Sequence, residues 1–122
     1  MTAGTEVAIR PTAVVIDVTD LDREIGFWTA LLAMGVSNRS EDWADLEPMA
    51  GSGPVLALQL VPESKRNKNR LHLDLEVDDF ASATRRATEL GGQPVSAVHT
   101  PNQPWQVWAD PEGNEFCLIT AG

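Results

Sequence analysis

The sequence carries a single cysteine, Cys117, among 122 residues, which excludes an internal disulfide and any zinc site built from several thiolates. It also lacks an apolar run near the roughly 20 residues that a membrane helix needs. Arg10 interrupts a start that has no signal-peptide core. With no export signal, the cytoplasm is the expected location. Bases are scarce too: nine lysines and arginines face eighteen acids, for a formal charge of -9. Such a surface repels phosphate backbones and anionic lipid, so neither nucleic acid nor a membrane is an expected partner. The few bases are unevenly placed, with Lys65, Arg66, Lys68 and Arg70 gathered in one short stretch. That stretch reads first as a solvated linker and second as an anion-binding loop.

The rest of the composition is that of one globular domain. Apolar residues make up 43% and charged residues 22%, an ordinary balance for a chain long enough to bury a core. Residues 1–122 are therefore read as a single domain.

An internal repeat organises it. The stretch 13–20 lies over 72–79, with Val18 on Val77, Asp17 on Glu76 and Asp20 on Asp79. A helical pattern follows each acidic corner: Leu21, Ile25, Trp28 and Leu32 share one face, as do Phe80, Ala83, Ala87 and Leu90. Asp20 and Asp79 suit N-caps, because a short carboxylate accepts the free N–H groups of a first helical turn. Gly35 and the pair Gly91-Gly92 are the expected stops. Short strands then follow, near 36–38, 43–47 and 55–61 in the first half and near 93–98, 105–109 and 115–120 in the second. The turns Gly51-Ser-Gly-Pro54 and Asp110-Pro-Glu-Gly113 separate the later ones. The chain thus predicts an α+β fold of two tandem βαβββ modules, about 12–61 and 70–120, joined by a linker at 62–69. Their strands would form a cupped mixed sheet with the helices outside.

Alternation along the strands separates two faces. Val14, Ile16 and Val18, with Leu73, Leu75 and Val77, would pack under the helices, as would Leu56, Leu58, Leu60, Phe116 and Leu118. The opposite face carries Ala13, Val15, Asp17, Gln59, Arg70, His72, Asp74, Glu76 and Cys117. A mixed, helix-free face on a curved sheet is where a small-molecule pocket forms. His72 is the first candidate for chemistry, with Asp74 on the same face to orient its imidazole. Arg70, at the mouth of that strand, would grip a carboxylate or phosphate. The competing structural reading pairs His72, Arg70 and Asp74 among themselves. Asp17 and Glu76 are either pocket carboxylates or wet strand ends. Trp28 reads as core, while Trp105 either stacks on a flat ligand or seals the sheet. Asp110, Glu112 and Asn114 are turn formers, and Cys117 reads as a small buried apolar residue.

The modules, the acidic helix start at Asp20-Leu-Asp-Arg-Glu-Ile-Gly-Phe-Trp28, the phrase Asn69-Arg-Leu-His-Leu-Asp74 and the turn Asp110-Pro-Glu-Gly-Asn114 resemble the vicinal oxygen chelate superfamily. Its members include glyoxalase I, bleomycin-resistance proteins and extradiol dioxygenases, and the likeness is to the glyoxalase-like branch over about residues 12–120. The resemblance implies four inward metal-ligand positions, which fall here on Ala13, Gln59, His72 and Cys117. Ala13 supplies no donor. Asp74 is not expected to share a metal with His72, since residues two apart on a strand stand about 7 Å apart. No cofactor is therefore expected, and a divalent metal, if held, would rest on His72, Gln59 and Cys117. Two functions remain open: a lyase or isomerase acting on a carbonyl- or carboxylate-bearing compound with His72 as acid and base, or a protein that sequesters an aromatic or cationic drug or metabolite. A homodimer is the expected assembly, because open sheet edges and apolar strand faces invite a second copy.

Overall fold

The computed structural model describes residues 10–48 and 53–120. The order is β1 (Ala13–Val18), α1 (Leu21–Leu32), β2 (Val36–Arg39), β3 (Trp43–Pro48) and β4 (Val55–Leu60), then β5 (Leu73–Val77), α2 (Phe80–Glu89), β6 (Gln93–Pro94), β7 (Trp105–Ala109) and β8 (Glu115–Thr120). Two four-stranded mixed sheets result, ordered β1-β4-β3-β2 and β5-β8-β7-β6. In each, the first strand runs parallel to the last, and the intervening pairs are antiparallel. These are the two βαβββ copies of an α+β fold. The strand expected at 93–98 is the exception. Pro94 has no N–H to extend a ladder, and the N–H groups of Val95 and Ser96 both converge on the Val107 carbonyl. The ladder therefore stops at Pro94. Gly51 and Ser52 of the first expected turn lie outside the described residues.

Both helices begin at the expected caps. The Asp20 carboxylate accepts from the Arg23 N–H at 3.1 Å, and Asp79 accepts from the Ser82 N–H at 3.2 Å. Those bonds to Ser82 hold the Asp79 carboxyl below its ordinary range. The stops differ from each other. Gly91, at φ 102°, turns the chain out of α2, as anticipated. Gly35 is not the left-handed residue after α1; Ala33 is, at φ 53°. The N–H of Met34 returns to the Thr29 carbonyl at 3.1 Å, and this requires the turn two residues earlier than the glycine.

The core runs across both modules. Leu56 and Leu58 of β4 and Phe116 and Leu118 of β8 are buried beneath the helices, with Val18, Leu21, Phe27, Trp28, Ala87 and Trp108. Val14 and Leu60, expected in the same layer, remain 38% and 39% exposed. Leu60 ends β4, and Val14 faces the cleft described below. Trp28 meets the Phe116 ring edge-on at 5.2 Å, so the first helix packs onto the last strand of the second module. The turn at 110–114 completes that junction. Its Asp110 carbonyl accepts from the Gly113 N–H, with Gly113 at φ 90°. From this turn Glu112 reaches back to the start of α1, where its carboxylate accepts from the N–H groups of Thr19 and Asp20 at 2.7 and 2.8 Å. A residue read as a turn former is thus a second cap for α1, supplied by the other module.

Ala33→Gly tests the stop of α1. A left-handed alanine costs about 1–2 kcal/mol, while glycine gives up about 0.4–1 kcal/mol through the freer unfolded chain. The expected result is a small rise in melting temperature, of about 1–4 °C. Differential scanning calorimetry of the two proteins measures it.

Candidate functional site

A cleft of about 510 Å³ opens between the two sheets. One wall is β1, through Ala13, Val15 and Asp17. The other is the approach to β5, through Asn69, Arg70 and His72, with Asn114 and Glu115 beside it. The linker lies across the same opening, where Glu63, Ser64 and Lys65 join the lining. Lys68 holds it down through a 3.0 Å bond to Glu115. The basic stretch is therefore more than the solvated linker it first resembles: Lys65 and Arg70 both border the cleft.

His72 precedes β5 and is not held to the alternation of its strand. Its Nε2 lies 3.3 Å from Asp74 Oδ1, the contact expected of a carboxylate that orients the imidazole, and closer than the backbone separation of about 7 Å that argued against a shared metal. Asp74 in turn stands opposite Cys117 in the β5–β8 register. One donor atom each from His72, Asp74 and Cys117 lies within 4.8 Å of the other two. Cys117 is buried, and that burial pushes its thiol up, with the nearby Asp74 charge adding to the effect. A thiol in that state is a poor nucleophile.

Asp17, Arg70 and His72 thus share the cleft, and Asp74 and Cys117 lie close to His72 without being part of the cleft's described lining. Gln59, Glu76 and Trp105 are not part of its described lining. Gln59 is exposed and pairs in register with Asp17 and Trp43. Glu76 borders a separate hollow of about 250 Å³ beside Leu31, Leu32 and Arg86. Trp105 stacks on His99 with ring centroids 4.1 Å apart.

Residues 13–119 match the family model of the glyoxalase-like domain. The chain belongs to this family. No curated protein sequence matches the glyoxalase-like domain described here. Its fold matches that of a glyoxalase/bleomycin resistance protein/dioxygenase family enzyme from Burkholderia phytofirmans, with TM-score 0.75 at 17% identity, covering 92% of this chain and 98% of that one. A glyoxalase-related enzyme from Fulvimarina pelagi matches at 0.74 and 18%, covering 92% and 88%. The fosfomycin resistance protein FosX from Mesorhizobium loti matches at 0.74 and 16%, covering 96% and 95%.

Register now locates the ligand positions that the superfamily implies. Val15 pairs with Ala57 in the first module as Asp74 pairs with Cys117 in the second. The counterpart of Cys117 is therefore Ala57, and Gln59 lies farther along β4. The four positions hold Ala13, Ala57, His72 and Cys117, so the first module offers no donor. At those positions a metal clasped between the two modules would find donors from the second module alone.

The state of Cys117 has a direct check. Alkylation by iodoacetamide near pH 8 is expected to run more than about tenfold slower than for a free cysteine, and to reach the free rate in denaturant. Mass spectrometry over a time course measures both rates.

Proposed function

We propose that this glyoxalase-like domain binds a small carboxylate-bearing organic molecule in the cleft and moves a proton on it through His72. The observation that carries this reading is the His72–Asp74 contact of 3.3 Å beside a cleft bordered by Arg70 and Lys65. A carboxylate next to Nε2 keeps a proton on that nitrogen and leaves Nδ1 with the lone pair. Asp74 is thus the positioning residue and His72 the group that meets the reacting atoms. Arg70 and Lys65 supply positive charge for a carboxylate, and for the oxygen that gains charge when a proton leaves the carbon beside a carbonyl. Removal and return of that proton is the common element of lyase and isomerase chemistry on such compounds. The step uses no metal.

A second reading, sequestration without turnover, draws on the bare wall of the first module. Ala13 and Val15 shape the cleft on that side, and neither can take part in acid–base chemistry.

The assignment of charge is tested with an acidic ligand, found by thermal shift, and its neutral amide analogue. Arg70→Ala is expected to weaken the acid by about tenfold to a hundredfold, from the 1.5–3 kcal/mol of a charge-assisted hydrogen bond. The amide is expected to change little, and equal losses for both would remove Arg70 from the site. Turnover of the acid, lost in His72→Ala with binding kept, separates enzyme from sequestrant.

Metal content is a separate check. Protein purified without added metal is expected to hold far less than one equivalent of zinc, nickel, iron or manganese by elemental analysis. Near one equivalent, lost in both His72→Ala and Cys117→Ala, would replace the acid–base reading with metal chemistry.

A further inference from the structure

Glu24, on α1, is completely buried, and neither of its carboxylate oxygens finds a hydrogen-bond donor among the described residues. An isolated buried carboxylate is costly enough that such groups are paired or neutral. Its neighbour from the second module is Asp110, within hydrogen-bonding reach and itself only 3% exposed. Asp110 is richly supplied with donors. Its Oδ1 accepts from the N–H groups of Glu112 and Asn114 at 2.9 and 2.8 Å. Its Oδ2 accepts from Trp28 Nε1 at 3.2 Å and from Asn114 Nδ2 at 3.0 Å. Asp110 accepts from four donors and Glu24 from none among the described residues, so a proton shared by the two acids sits on Glu24. With that proton, two repelling carboxylates become an acid donating to a carboxylate, and the orphaned side chain is satisfied.

We propose that Glu24 and Asp110 form a one-proton latch, which bolts the first helix to the turn leading into β8 and opens when the proton is lost. The other charges facing Glu24 are few. Glu112, from the same turn, disfavours its ionisation; Arg23, on its own helix, favours it. The Arg23 side chain is half exposed and is engaged with Glu112 at 3.7 Å and Asp20 at 3.9 Å. Burial outweighs it and pushes Glu24 from 4.5 up to about 10, aided by the bond to Asp110 and by its charge. Asn114, the third member of the cluster, also lines the cleft. Opening the latch therefore loosens part of the cleft wall.

The sign of the pH dependence follows. Below about 4.5 the folded and unfolded chains both hold the Glu24 proton, and stability is indifferent to it. From there up to about 10 only the folded chain keeps the proton, so stability falls as pH rises. Glu24→Gln keeps a neutral donor at this position and removes the titration. Urea unfolding of both proteins from about pH 5 to about pH 10 is the test. The ratio of unfolding constants, wild type over variant, is expected to climb by up to about tenfold per pH unit. Parallel curves would overturn the latch. A second measurement does not depend on the variant folding: the carbon-13 carboxyl resonance of Glu24 in wild-type protein. It is expected in its acid position near neutral pH and to titrate only in the alkaline range. A carboxylate position at neutral pH would overturn the proposal.

Discussion

The Asp110 carboxylate is where two copies of one module become a single body. Its side chain gathers the backbone of its own turn, the Asn114 amide and the Trp28 indole. Trp28 belongs to the first module and Asp110 to the second, so the bond between them sets where α1 lies against β8. Once α1 is placed, the rings of Phe27 and Trp28 reach Phe116 at 6.0 and 5.2 Å and close the shared core. Glu112 adds its cap to α1 from the same turn. The walls of the cleft are the strands on either side of this junction, and their separation depends on it.

Much of this architecture is legible in the sequence, because it is local. The two helical stripes, the aspartate caps and the turn at 110–113 each depend on residues close together in the chain. The features that escape the sequence are set by long-range pairing. Ala57, rather than Gln59, holds the position matching Cys117, because β4 runs parallel to β1 in a register that no nearby residue announces. The approach of Cys117 to His72 and Asp74 likewise depends on the pairing of β5 with β8. Glu24 falls inside an amphipathic helix where an acid would ordinarily face water. Only the arrival of Asp110 from the other module shows why it is buried. The weak ladder at Pro94 was readable in principle, since a proline inside an expected strand is itself a warning.

The two modules share a backbone plan and divide the chemistry unequally. On the first module's side, the matching positions are Ala13, Val15 and Ala57, which offer shape. On the second, His72, Asp74 and Cys117 offer protons and charge. A fold that hosts unrelated activities can change them by altering side chains on one wall while the other continues to enclose. The polar cluster here needs no partner from the opposite module, since His72, Asp74 and Cys117 all lie on β5, its approach and β8.

The segment between the modules has a double position: it carries the chain from β4 to β5, and it lies over the mouth of the cleft. It is tethered to β8 by Lys68 and borders the opening through Glu63, Ser64 and Lys65. Loops take insertions at small entropic cost, because closure entropy grows only slowly with length. Changes of length between residues 62 and 69 would therefore leave the sheets and their junction undisturbed while altering the aperture. Under the proposed function, selectivity would drift through the size of this entrance, independently of the residues assigned to meet the ligand inside.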